Sequence, residues 1–150
     1  MADLVLVDAE MLAGWRRSTP SLAQLYQAVL HLERQHPAAE VTVIADPSLK
    51  WVLGANDQVL FEADVVAGFL TCAPAGTKGG FAGFVAAIAA RMGGGRTAVV
   101  VTDRAVAGLP LARVTVDEGR WRFDLEGRRV TAGAAKRAGA DRAARGGRRR

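Results

Sequence analysis

The chain has 150 residues, half of them apolar, and a formal net charge of +5. That length suits one domain with a real core, and that apolar content excludes a wholly disordered chain. No apolar run approaches a bilayer-spanning length, the start M-A-D-L lacks a positively charged leader, and a lone Cys72 excludes an internal disulfide and a cysteine-based zinc site. The expectation is a cytoplasmic chain with no membrane contact, in which Cys72 is a small buried residue.

The charge is unevenly shared. From Arg128 to Arg150 nine Lys/Arg stand against Asp141, a net +8, while Met1–Gly127 holds eleven basic and fourteen acidic residues, a net −3. Two regions follow: an α/β domain over 1–127 and a basic tail over 128–150. The tail is Ala, Gly and Arg, too poor in large apolar side chains for a core, and is expected to be disordered.

In chain order, Leu4–Val7 is an unbroken apolar run stopped by Asp8, the pattern of a strand buried on both faces. The segment after it, A-E-M-L-A-G-W-R-R, has weak periodicity and reads as a loop. A helix opens at S-T-P-S-L-A-Q, capped by Ser21 with Gln24 or by Thr19 with Pro20 in the first turn. Leu22, Leu25, Val29 and Leu32 form its apolar face, and His36-Pro37 ends it. His31 and His36 read as a solvated helix end rather than metal ligands.

Val41–Ala45 is the second strand, stopped by Asp46, which is positioned to cap a helix begun by Pro47. Gly54–Asp57 reads as a turn, and Gln58–Ala67 as a helix with Val59, Phe61, Val65 and Val66 apolar and Gly68 as its stop. Phe69–Cys72 reads as a short third strand, followed by A-P-A-G-T-K-G-G. The helix Phe81–Met92 carries Phe81, Phe84, Val85, Ile88 and Met92 on one stripe. The β-branched run T-A-V-V-V-T-D (Thr97–Asp103) is the next strand, and Arg113–Phe123 reads as a strand pair turning at Asp117–Gly119. The series implies a doubly wound, mainly parallel α/β sheet with helices on both faces.

Three runs thus end in Asp: Asp8, Asp46 and Asp103. If the strands are parallel neighbours, three carboxylates share one sheet edge, where open α/β folds place ligands. Such a cluster suits Mg²⁺ or Mn²⁺, which relieve the like-charge repulsion and lower the pKa of bound water. A strand-end Asp also caps helices, and both readings stand here. Lys78 either meets a phosphate at a Gly-rich helix start or is a solvent-facing turn residue. Gly93–Gly95 precedes its strand, so it is no dinucleotide loop. Trp15 with Arg16 and Arg17, and Trp51 with Lys50, either stack on single-stranded RNA or pack at helix edges.

The order of these pieces resembles the PIN-like superfamily. They are an apolar strand plus Asp8, V-T-V-I-A-D-P-S-L, A-P-A-G-T before a helix, and V-V-V-T-D-R. The resemblance covers roughly Leu4 to Phe123 and is nearest to the NYN (Zc3h12a-type) ribonuclease branch. It implies a three-layer α/β/α fold and a divalent-metal-dependent endoribonuclease, with Asp8, Asp46 and Asp103 as metal-binding, catalytic acids. RNA is the implied partner, and a homodimer or a protein partner is left open. Lys78, Arg104, Arg128, Arg129, Lys136 and Arg137 are the candidate RNA contacts. Two departures thin the acidic site: Ala9, Glu10 and Met11 stand where the family has Gly/Ala and Asn, and Lys78, Gly79 and Gly80 where it tends to have an acid. The alternative is a catalytically degenerate PIN-like domain that binds RNA or the ribosome, or serves protein interaction.

Overall fold

The structure is a computed structural model and describes residues 3–129. Strand β1 (Leu4–Asp8) is buried along its whole length, as its unalternating sequence requires. It pairs in parallel with β2 (Glu40–Ala45) on one side and β4 (Ala98–Val101) on the other. Beyond β2 lies β3 (Thr71–Cys72), and beyond β4 lie β5 (Pro110–Asp117) and β6 (Arg120–Arg129), giving the order β3-β2-β1-β4-β5-β6. Only β6 runs antiparallel to its neighbour.

Topology decides where the helices go. From β1 to β2 to β3 the chain steps one way across the sheet, through α1 (Ala9–Ala13), α2 (Leu22–Gln35), α3 (Leu49–Val52) and α4 (Ala55–Ala67). It then crosses back to β4 through α5 (Gly80–Gly93). Parallel crossovers keep one hand, so reversing the direction of travel moves the helix to the opposite face. The core divides accordingly. Val5, Val7, Val99 and Val101 pack with Leu12, Leu25, Leu32 and Phe61 on one face, and Leu4, Leu6, Ile44 and Val100 pack with Phe81, Val85 and Ile88 on the other. The result is a three-layer α/β/α sandwich, and its point of reversal lies between β1 and β4.

The structure corrects several local expectations. The loop after Asp8 is helix α1, because the Asp8 side chain caps it and Gly14 closes it. Helix α4 starts at Ala55 rather than Gln58, with Gly54 as its cap, so the expected turn is its first turn. Val59 and Val66 do not face the core; they are 70% and 90% exposed. The third strand keeps only Thr71–Cys72, with Cys72 half-buried and Phe69 exposed. The β5–β6 hairpin turns where expected, through Glu118 and Gly119 at φ 48° and 77°, the paired left-handed conformations of a tight hairpin.

His31 and His36 are not a solvated helix end. Together with Gln35 they cover the outer edge of β6. The Trp121 N–H donates to His31 Nδ1 at 3.0 Å and the Phe123 N–H to Gln35 Oε1 at 3.0 Å. Gln35 Nε2 donates to the Trp121 carbonyl at 2.5 Å, and His36 Nε2 lies 2.8 Å from that of Phe123. Four backbone groups of an edge strand are thereby satisfied by one helix, which closes that stretch to a foreign strand. Trp15 stacks edge-on against Trp121, at 5.6 Å between ring centroids, so it belongs to the core and not to an RNA surface. Strand β6 carries the backbone through Arg129, two residues past Gly127, and the remainder of the basic segment lies outside the described residues.

Candidate functional site

In the β1–β4 pair Val7 sits opposite Val101, so Asp8 and Thr102 leave the sheet side by side at the point of reversal. Thr102 Oγ1 donates to Asp8 Oδ2 at 2.8 Å. Asp8 Oδ1 accepts the N–H groups of Glu10 and Met11 at 3.0 and 3.3 Å, which makes the same carboxylate the cap of α1. Asp8 is 1% exposed, so nearly all its partners are protein.

Arg104 completes the arrangement. Its backbone N–H donates to Thr102 Oγ1 at 3.1 Å, which fixes the turn after β4. Its guanidinium reaches back, with Nη2 2.7 Å from Glu10 Oε2 and Nε 3.6 Å from Asp8 Oδ2. One face rests on the Phe81 ring, 4.8 Å from the centroid, at the start of α5. The cation therefore bridges the first acid of β1 and the acid two residues later. Glu10 Oε1 is buried and has no hydrogen-bond partner among the described residues.

The electrostatics follow. Burial pushes the Asp8 carboxyl above the ordinary carboxylate range, outweighing the Thr102 hydroxyl, the Arg104 charge and the Met11 N–H, and the Asp103 charge adds to the rise. Glu10 is raised for the same reason: burial leads, Arg104 opposes it, and the Asp8 and Asp46 charges reinforce it. Asp46 moves the other way. Its Oδ1 accepts the Ser48 hydroxyl and N–H at 2.7 and 2.9 Å, which holds its carboxyl below the usual range. Asp46 thus closes a turn at the end of β2 through its Oδ1, while its charge still reaches Glu10 and Arg104. Asp103 is exposed, beside Thr102.

All three strand-end acids emerge at one edge, but among the described residues no group of three or more His, Cys, Asp or Glu is gathered closely enough to hold a metal ion. Mg²⁺ asks for several convergent oxygens. Here both Asp8 oxygens already accept hydrogen bonds and a guanidinium stands beside them. The residues as arranged do not fit a divalent ion, because Arg104 already supplies the counter-charge.

Beside this centre is a cleft of about 370 Å³ whose walls include Asp46, Trp51, Pro74, Thr77 and Gly80. Trp51 is 71% exposed there, with Lys50 Nζ 4.6 Å from its ring centroid and also paired with Glu62. Lys78 is exposed in the turn that enters α5. The backbones of Arg128 and Arg129 pair with Leu111 and Pro110, whereas Lys136 and Arg137 lie outside the described residues. Glu10 and the inward role of Arg104 had no local signal, since each pairs across 94 residues of chain.

No family model and no curated protein matches the sequence. Among solved structures, the fold is similar to part of nuclear proteinaceous RNase P 2 (PRORP2) from A. thaliana, with a TM-score of 0.59 and 13% sequence identity. The match covers 85% of this chain and 30% of that one, so the chain spans under a third of that protein's length. At that identity the likeness is one of fold: a mainly parallel sheet between two layers of helices.

Proposed function

We propose that this chain is a PIN-like domain that binds single-stranded RNA across the carboxyl edge of its sheet, with an arginine in place of the usual metal charge. The observation that carries the reading is the bridge from Arg104 to Asp8 and Glu10 at the point of strand reversal. A guanidinium there supplies the counter-charge of the buried acid without an ion and, with 41% of its side chain exposed, is open to a phosphate from solvent. Trp51, bare beside the adjoining cleft, offers a stacking platform for a base, and Lys78 adds a cation at the mouth of α5. The solved neighbour is named a ribonuclease, which supports RNA as the class of ligand.

A second reading, a divalent-metal-dependent endoribonuclease of NYN type, is favoured by one specific feature. Glu10 Oε1 is buried beside the buried Asp8 and has no hydrogen-bond partner among the described residues. A single assay separates the two: incubation of generic single-stranded RNA with the protein and Mg²⁺ or Mn²⁺, against an Asp8→Asn/Asp103→Asn double variant. The binding reading expects intact RNA with both proteins. Metal-dependent cleavage by the wild type, lost in the double variant, would establish the nuclease.

A further inference from the structure

Helix α4 is built inside out. The side facing α2 carries Phe61 between two acids, which lie within about 60° of it on a helix of 3.6 residues per turn. Asp57 Oδ2 accepts the N–H of Leu22, the first residue of α2, at 3.1 Å, and the buried Asp64 takes the Tyr26 hydroxyl. The opposite side carries Val59, Ala63 and Val66 at i, i+4 and i+7, and Val59 and Val66 stand 70% and 90% exposed. Val52 just before the helix and Phe69 just after it are bare as well, at 57% and 70%.

Exposed apolar residues are ordinary singly, but this density is not. Val52, Val59, Leu60, Val66 and Phe69 together present on the order of 500 Å². That is near the upper end of what a monomer leaves bare and over half of the ~800 Å² each partner contributes to a standard interface. We infer that the outer face of α4 docks a second copy of this chain, α4 against α4 about a two-fold axis.

Three features select that occupant. The stripe is centred on the small Ala63 with a valine to either side, so two antiparallel copies approach closely and interleave their valines, as a self-complementary contact requires. The only charge on the outer side of α4 is Glu62, and Lys50 of the same chain already pairs with it, so the axis does not oppose bare carboxylates. RNA would need free cations on this face. The chain's own segment beyond residue 129 has Val130 as its one large apolar side chain and cannot fill the stripe.

The test is sedimentation equilibrium of the full chain from low to high micromolar concentration. The expected result is a reversible dimer of twice the 15.8 kDa chain mass, weakened at least about a hundredfold in a Val59→Asp/Val66→Asp variant that keeps its circular dichroism. A wild type that stays monomeric throughout overturns the inference, and so does a dimer untouched by the double variant. An Ala63→Cys variant in a Cys72→Ser background keeps the question open to test if the charged variant unfolds: rapid oxidation to a covalent dimer supports the two-fold contact, and none overturns it.

Discussion

Arg104 Nε stands 3.6 Å from the Oδ2 of Asp8, an acid that is 1% exposed and already bonded through both oxygens. The guanidinium is the internal counter-charge of the sheet's carboxyl edge. It is held there by Glu10 in front, Phe81 beneath and its own backbone bond to Thr102.

Removing that counter-charge leaves Asp8 buried and alone. Arg104→Ala is expected to destabilise the fold by roughly 1–2 kcal/mol, below the 3–5 kcal/mol of a fully buried pair because the arginine is partly solvated. Urea denaturation at neutral pH measures it. Arg104→Lys is expected to recover part of the loss, since it restores charge but not the forked contact.

The pH dependence has a definite sign. Asp8 and Glu10 titrate above their unfolded values, so the folded state holds protons the unfolded chain has released. Their contribution to stability therefore falls as pH rises from the ordinary carboxylate range through the folded pKa values. Asp46, held low, contributes stability that is lost only as pH falls through its folded pKa. Asp8→Asn is expected to flatten the first slope and leave the second, as read from denaturation midpoints across the acid range.

Trp51 lies on the surface and outside the core, so its loss separates binding from folding. Trp51→Ala is expected to leave the thermal midpoint unchanged and to weaken single-stranded RNA by about 1–3 kcal/mol, the range for one stacked base. Fluorescence anisotropy with a short unlabelled competitor decides it; unchanged affinity would place the RNA elsewhere.

Gln35 holds two backbone groups of β6 at once. Gln35→Leu is expected to cost about 1–2 kcal/mol, modest because the residue is exposed and water replaces part of the bonding. It is also expected to speed amide exchange at Phe123, where a protected edge N–H would be opened. Unaltered exchange there would show that the helix does not guard this edge.

The strands were legible because burial on both faces demands unbroken apolar runs, and Leu4–Val7, Val41–Ala45 and Ala98–Val101 leave little other reading. The hairpin was legible from Asp117–Gly119 between two strand-like runs, with Gly119 suited to a left-handed turn position. Helix α1 was hidden because its five residues are too few for periodicity, and because Asp8, its cap, already read as the end of a strand. Helix α4 misled for a physical reason: its inner face is anchored by Asp57 and Asp64 beside Phe61, so Val59 and Val66 point outward while Val65 packs on the core. The convergence of three acids on one edge was visible as pattern. What stands between them was not, since Arg104 meets Glu10 only after the whole sheet has formed.

The central claim is tested most directly by RNA binding with metal removed. In excess chelator the wild type is expected to bind single-stranded RNA, and Arg104→Ala to weaken it by at least about tenfold, or 1.4 kcal/mol. Arg104→Lys should fall between them. RNA binding that appears only when Mg²⁺ or Mn²⁺ is added, and that Arg104→Ala strengthens, would contradict the account and show the arginine to be occupying a cation's place rather than serving in its stead.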